Sequence, residues 1–127
     1  MILRNWRGWL TVLLFSLPQT PSAAEPLSGE QLFAVACEAC HSMGGELDHR
    51  IGPPLGGLRN RQAAAVAGYS YSKALLNTTW TWNLPTVVAW LSDPDGAVPN
   101  NAMNYVNALS ATETQRLAEW LLQEAPN

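Results

Sequence analysis

Apolar residues recur at helical spacing in three clear stretches of the 127-residue chain and in one shorter one, each bounded by cap or stop residues. In the first, Leu32, Phe33 and Ala36 follow Ser28-Gly29-Glu30-Gln31, which matches a capping box at a helix start. This helix is predicted to run through Cys37-Glu38-Ala39-Cys40-His41 and to end at Met43-Gly44-Gly45, because glycine suits a left-handed helix terminus. From Glu46 to Ala67 the periodicity vanishes, and the prolines and glycines of Gly52-Pro53-Pro54-Leu55-Gly56-Gly57 fix a loop path. A short helix is predicted around Ser72-Lys73-Ala74-Leu75-Leu76. The next runs from Leu84 to Ser92, with Asn83 as N-cap, Pro85 tolerated in the first turn, Val87, Val88 and Leu91 as apolar stripe, and Pro94 as stop. Pro94 to Asn107 reads as irregular. The last helix starts at a second capping box, Ser110-Ala111-Thr112-Glu113, and continues through Leu117, Trp120, Leu121 and Glu124. No stretch alternates as a strand does, so the class is all-α with long loops.

One further apolar run precedes these. Trp9 to Leu17 follows Arg4 and Arg7 and leads through Pro18-Gln19-Thr20-Pro21 to the small residues Ser22-Ala23-Ala24. That is the layout of a secretory signal peptide, with cleavage expected after Ala24. The run falls short of the roughly 20 residues a membrane span needs, so an uncleaved membrane anchor is the lesser alternative. Residues 25–127 then form one exported domain with five basic residues against ten acidic ones, a net charge of −5. This length leaves no room for a second catalytic module. No internal repeat, GxGxxG, Walker loop or HExxH is present, and the lack of a basic patch argues against nucleic acid as a partner.

The chemistry concentrates in Cys37-Glu38-Ala39-Cys40-His41. Cys-x-x-Cys-His is the pattern of c-type haem attachment. Spacing of i, i+3 and i+4 brings both thiols and the imidazole to one face of a helical turn, within reach of two porphyrin vinyl groups and the iron. A disulfide or dithiol redox pair is the plain alternative, but it lacks a βαβ setting and leaves His41 idle. A zinc site would need a fourth soft ligand. If the iron takes a second side-chain ligand, Met103 in the Pro99–Tyr105 loop is the candidate. Met1 leaves with the signal, Met43 is tied to the His41 side, and His49 sits between Asp48 and Arg50 in a loop read as exposed. The alternative is Met103 as an ordinary packing residue, with the distal position open.

Over nearly its whole mature length the chain resembles the class I cytochromes c, small monohaem electron carriers. Cys37, Cys40 and His41 match the attachment site and proximal ligand, and Gly52-Pro53-Pro54-Leu55 is similar to the turn whose proline carbonyl accepts the imidazole N–H. Gly29 and Phe33 match the first-helix face that meets Leu117 and Trp120 on the last. Arg61, Tyr71 (in Gly68-Tyr69-Ser70-Tyr71) and Trp82 match groups near the haem propionates, and Leu91, Pro94, Pro99 and Met103 keep the family spacing. The resemblance implies three to five short helices and long loops wrapped around one covalent haem c, His41 and Met103 as axial iron ligands, and one-electron transfer without enzyme activity. Lys73 is the only lysine, so the lysine ring of mitochondrial members is absent, and Trp90 stands where the family often has tyrosine. The donor and acceptor are therefore expected to be redox proteins with basic or apolar docking surfaces. Two other functions stay open: the cytochrome subunit of a periplasmic dehydrogenase, and a haem ligand sensor or peroxidase with an open distal site.

Overall fold

In the computed structural model, residues 23–123 are described. The apolar run Trp9–Leu17, and Glu124, expected to continue the final helix, lie outside them. Five helices follow in order: α1 Gly29–Ala36, α2 Lys73–Leu76, α3 Leu84–Ser92, α4 Pro94–Ala97 and α5 Ala111–Gln123. Among the described residues there is no strand, only an isolated antiparallel bridge between Gln62 and Thr81. The chain is all-α.

Local chemistry sets the helix starts. Ser28 Oγ accepts from the Gln31 N–H at 3.2 Å, and Gln31 Oε1 accepts from the Ser28 N–H at 2.8 Å. Asn83 and Thr86 make the same reciprocal pair for α3, at 3.1 and 2.9 Å. Glu113 accepts from the Ser110 N–H at 2.8 Å and Ser110 Oγ from the Glu113 N–H at 3.3 Å, opening α5. Each cap satisfies N–H groups that a helix start leaves without partners.

Three expectations need correction. First, α1 stops at Ala36 instead of running through the cysteine motif. The Phe33 carbonyl accepts from both Cys37 N–H (2.8 Å) and Glu38 N–H (3.0 Å), which widens the last turn and breaks the ladder. A separate turn follows, in which the Cys37 carbonyl accepts from Cys40 N–H at 3.0 Å and His41 N–H at 2.9 Å. Second, Gly44 and Gly45 are not left-handed; among the described residues the positive-φ glycines are Gly57 and Gly68, at 67° and 75°. Third, Pro94 does more than stop α3. Asp93 caps α4 through the Gly96 N–H at 2.9 Å, and Pro94 occupies its first turn, where a missing N–H costs nothing.

The core forms where α5 crosses α1 and α3. Thr114, Leu117, Ala118, Leu121 and Leu122 make one buried stripe on α5, as expected for a helix covering a core on one side. Leu32 and Leu117 are wholly buried. Each such leucine contributes roughly 1.5–3 kcal/mol by leaving water. At the crossing, Gly29 lies flush against Trp120, so that a Cβ there would run into the indole side chain. Trp120 in turn packs on Phe33 with ring centroids 5.4 Å apart. Gly29 thus lets α1 and α5 approach closely.

Candidate functional site

An apolar cavity of about 250 Å³ opens between the cysteine turn and the segment that follows α4. Cys37, Cys40 and His41 line it together with Met103 and Tyr105, and Leu55, Leu58, Val87 and Leu91 supply much of its wall. Pro53, Arg61, Tyr71 and Trp82 border the same space. All eight residues singled out from the sequence therefore surround one cavity. The rival ligand His49 is not among its lining residues, and neither is Met43, which packs against the core.

His41 is held in a defined orientation. Its Nδ1 lies 2.7 Å from the Pro53 carbonyl oxygen. A carbonyl can only accept, so Nδ1 carries the proton and Nε2 keeps its lone pair. Burial lowers the imidazole pKa, opposed in part by that hydrogen bond, which leaves the ring neutral and fit to ligate a metal. Gly52 abuts the ring, and a Cβ at that position would overlap it. The Gly52 N–H also donates to the Cys40 carbonyl at 2.7 Å, joining the two turns.

Cys37 is buried and Cys40 partly so. Burial, reinforced by the neighbouring Cys40, pushes the Cys37 thiol up to about 11. A redox dithiol relies on a stabilised thiolate, and this environment disfavours one. Among the described residues no three His, Cys, Asp or Glu side chains converge on a metal position by themselves.

Arg61 does more than the family pattern implies. Its guanidinium donates to the Gly56 carbonyl at 2.9 Å and the Pro54 carbonyl at 3.0 Å, so it braces the turn that presents Pro53 while still bordering the cavity. The Tyr71 hydroxyl accepts from the Val66 N–H at 3.2 Å, and burial raises its pKa. Trp82 is 8% exposed and sits between Trp80 and Trp90, each with ring centroids 5.8 Å away. Its backbone N–H donates to the Arg61 carbonyl at 2.8 Å, which ties these two cavity residues together. Trp90, which stands where the family often has tyrosine, lines the cavity. His49 is a further correction: it is half-buried against Tyr69, and its Nδ1 is buried without a partner.

Two residues escaped sequence reasoning. Asn101 and Asn107 each accept a hydrogen bond from the backbone two positions on, Asn101 from Met103 at 2.7 Å and Asn107 from Leu109 at 3.0 Å. Asparagine's habit of making such local turns was the available signal.

These features meet in one design: an apolar cleft lined by two thiols, a neutral oriented imidazole and a methionine. Such a cleft suits a flat apolar macrocycle with a central metal, and the residues present fit a haem. The protein is a class I c-type cytochrome by this architecture. The comparisons agree, for the Cytochrome c family profile matches residues 27–124. The cytochrome c of Nigella damascena is 33% identical over 106 residues, covering 84% of this chain and 95% of the relative. Cytochrome c2 of Rhodoblastus acidophilus is 30% identical over 101 residues, 80% and 94% of the two chains. Cytochrome c-550 of Bradyrhizobium diazoefficiens is 32% identical over 87 residues, 68% and 64% of the two. The chain belongs to the cytochrome c family. It is a haem-carrying electron-transfer protein with a covalent haem c.

Proposed function

We propose that the chain is an exported, periplasmic carrier of single electrons, with haem c joined through Cys37 and Cys40 and its iron held by His41 and Met103. The observation that carries this reading is that both thiols, the oriented imidazole and the Met103 side chain border a single apolar cavity. When bound, the haem supplies a one-electron iron couple whose potential a histidine–methionine ligand pair raises. His41 offers the Nε2 lone pair because the Pro53 carbonyl holds the Nδ1 proton, which also increases the basicity of the ring. Met103 offers a neutral, soft thioether. The apolar walls exclude water, while Arg61, Tyr71 and Trp82 supply the charged and hydrogen-bonding groups suited to carboxylate substituents. With His41 and Met103 both serving as iron ligands, no coordination site would be left for a substrate, and the chain would act as a carrier and not an enzyme. Residues 1–24 are the export signal and 25–127 the working domain. Among the described residues no helix is long and apolar enough to cross a membrane.

A redox titration of the purified holoprotein, followed by its spectrum, tests this reading. We expect a single Nernstian transition of about 59 mV per tenfold change in ratio. It should be accompanied in the oxidised form by the weak red-end band of an iron–thioether bond. A spectrum without that band would contradict Met103 as ligand.

Partner choice follows from charge and rim. Four of the scarce cations donate to carbonyls: Arg61 as described, Arg50 to Glu38 at 3.0 Å, Arg59 to Leu122 at 2.7 Å and Arg116 to Leu27 at 2.9 Å. Ile51 borders the cavity yet is 77% exposed, and Val106, beside the lining residue Tyr105, is 89% exposed. The donor and acceptor therefore present basic or apolar docking faces. Electron transfer from the reduced protein to a tripositive cobalt–phenanthroline complex should slow as ionic strength rises from about 0.01 to 0.1 M, where the Debye length shortens from roughly 30 to 10 Å. A rate that climbs with salt would contradict an acidic reactive face. The apolar rim also favours a second reading, the cytochrome subunit of a periplasmic dehydrogenase. A partner that co-purifies at every dilution would establish that arrangement.

A further inference from the structure

The segment that carries Met103 has no helix or strand to hold it. Between α4 and α5, residues 98–110 make few backbone bonds of their own, such as Asn101 N–H to the Val98 carbonyl at 3.2 Å and Tyr105 N–H to the Met103 carbonyl at 2.8 Å. Neither bond ties Met103 to the body of the fold. Side chains do that instead, at two points.

At the entrance, Asn101 makes three hydrogen bonds. Its Oδ1 accepts from the Met103 N–H at 2.7 Å. Its Nδ2 donates to Asp95 Oδ1 on α4 and to the Val98 carbonyl, both at 3.0 Å. One amide thus links the backbone of Met103 to a helix anchored by its own Asp93 cap. At the exit, Asn107 repeats the arrangement. Its Oδ1 accepts from the Tyr105 hydroxyl at 3.1 Å and the Leu109 N–H at 3.0 Å. Its Nδ2 donates at 3.0 Å to Oγ1 of Thr114, a residue 1% exposed on the buried face of α5. Asn100, just ahead of the first clamp, adopts a left-handed φ of 64° that asparagine tolerates better than most residues.

We propose that Asn101, through Asp95, is a positioning residue that holds the Met103 segment closed over the cavity, with Asn107 fixing the far end. The inference rests on Met103 being the distal ligand. Its physical content is a two-state equilibrium. In the closed state the thioether reaches the cavity; in the open state the segment swings out and the distal position can take another ligand. Apparent affinity for an external ligand scales with the fraction of open molecules, so that ligand reads the equilibrium directly. Removing the amide deletes the bond to Asp95, which ties the closed segment to α4, together with two bonds inside the segment, and water replaces the first in the open state.

The test uses oxidised holoprotein and imidazole, with affinity read from the spectral shift and global stability from urea unfolding of the same samples. Asn101→Ala should bind imidazole at least tenfold more tightly than the parent protein, and Met103→Ala more tightly still. Asp95→Ala should fall between the parent and Asn101→Ala. Asn101→Asp keeps the acceptor toward Met103 but loses the donor toward Asp95, so it should also open the segment. Combining it with Asp95→Asn restores the 101–95 donor–acceptor pair with the roles exchanged but not the bond to the Val98 carbonyl, so affinity should return partway, to between Asn101→Asp and the parent. A general loss of stability would not be repaired by that exchange. Parental affinity in Asn101→Ala, or no recovery in the exchanged pair, would overturn the proposal. Should Asn101→Ala fail to mature, Asp95→Ala and the exchanged pair carry the same decision. If the parent already binds imidazole as tightly as Met103→Ala, the ligand assignment itself is wrong. That result is distinct from a failed clamp, in which Met103→Ala still differs from the parent.

Discussion

Replacing Cys37 and Cys40 together by alanine is expected to abolish covalent haem attachment and to unfold most of the domain. The reason lies in where the cavity is. Its walls include Leu58, Trp82, Val87, Leu91 and Leu121, which are also members of the hydrophobic core. A core that loses its central occupant keeps side chains with no partner on one side. Taking the cost of residual cavity at about 24 cal/mol per Å³, the 250 Å³ here corresponds to about 6 kcal/mol. Domains of this size are stable by only about 5–15 kcal/mol, so the loss is of the same order as the whole margin. Capping boxes and the α1–α5 crossing do not offset it. Circular dichroism and urea unfolding of the double variant check the expectation. A haem-free chain that keeps a cooperative transition near the parental midpoint would show that the terminal helices suffice on their own.

Met103→Ala is expected to have the second largest effect, on chemistry instead of folding. Cys37, Cys40 and His41 are untouched, so attachment should survive. The red-end thioether band should disappear, and the reduced protein should bind carbon monoxide. The potential should fall by on the order of 100 mV, because axial ligand choice spans roughly 0.8 V in haem proteins. Carbon monoxide spectra and a redox titration of the variant decide the matter. A variant that still excludes the gas, at an unchanged potential, would mean that another group fills the distal position; a parent protein that already binds the gas as the variant does would mean that none ever did.

The helices were legible because their signals are local. Ser28 with Gln31 and Ser110 with Glu113 are capping boxes three residues apart, and the structure makes the expected reciprocal bonds at both. Leu84–Ser92 was bounded by Asn83 and Pro94 in the sequence and runs between them in the structure. Errors arose where one local signal had two meanings. Pro94 both ends α3 and starts α4, since a residue with no N–H suits either role. Gly44 and Gly45 carry no side chain but take no left-handed turn, because the break at Phe33 and Cys37 had already ended α1.

For the site, the attachment motif was visible because five consecutive residues carry it. What the sequence hid is what depends on long-range packing. His49 looked exposed beside Asp48 and Arg50, yet Tyr69, distant in the chain, covers it. Asn101 and Asn107 lie in a polar stretch without periodicity, and their weight comes from Asp95 and Thr114, which only the fold brings near. Arg61 was assigned by register to a carboxylate, whereas its bonds to Pro54 and Gly56 reveal a second duty toward the turn behind His41.

The account stands on haem being bonded to one short peptide. Mass spectrometry of the exported protein, denatured and then digested, measures that directly when a haem maturation system is coexpressed. The expected result is one haem per chain, carried on the fragment containing Cys37 and Cys40, with the intact chain beginning at Glu25. A bare polypeptide mass, or haem on no fragment after denaturation, would contradict it.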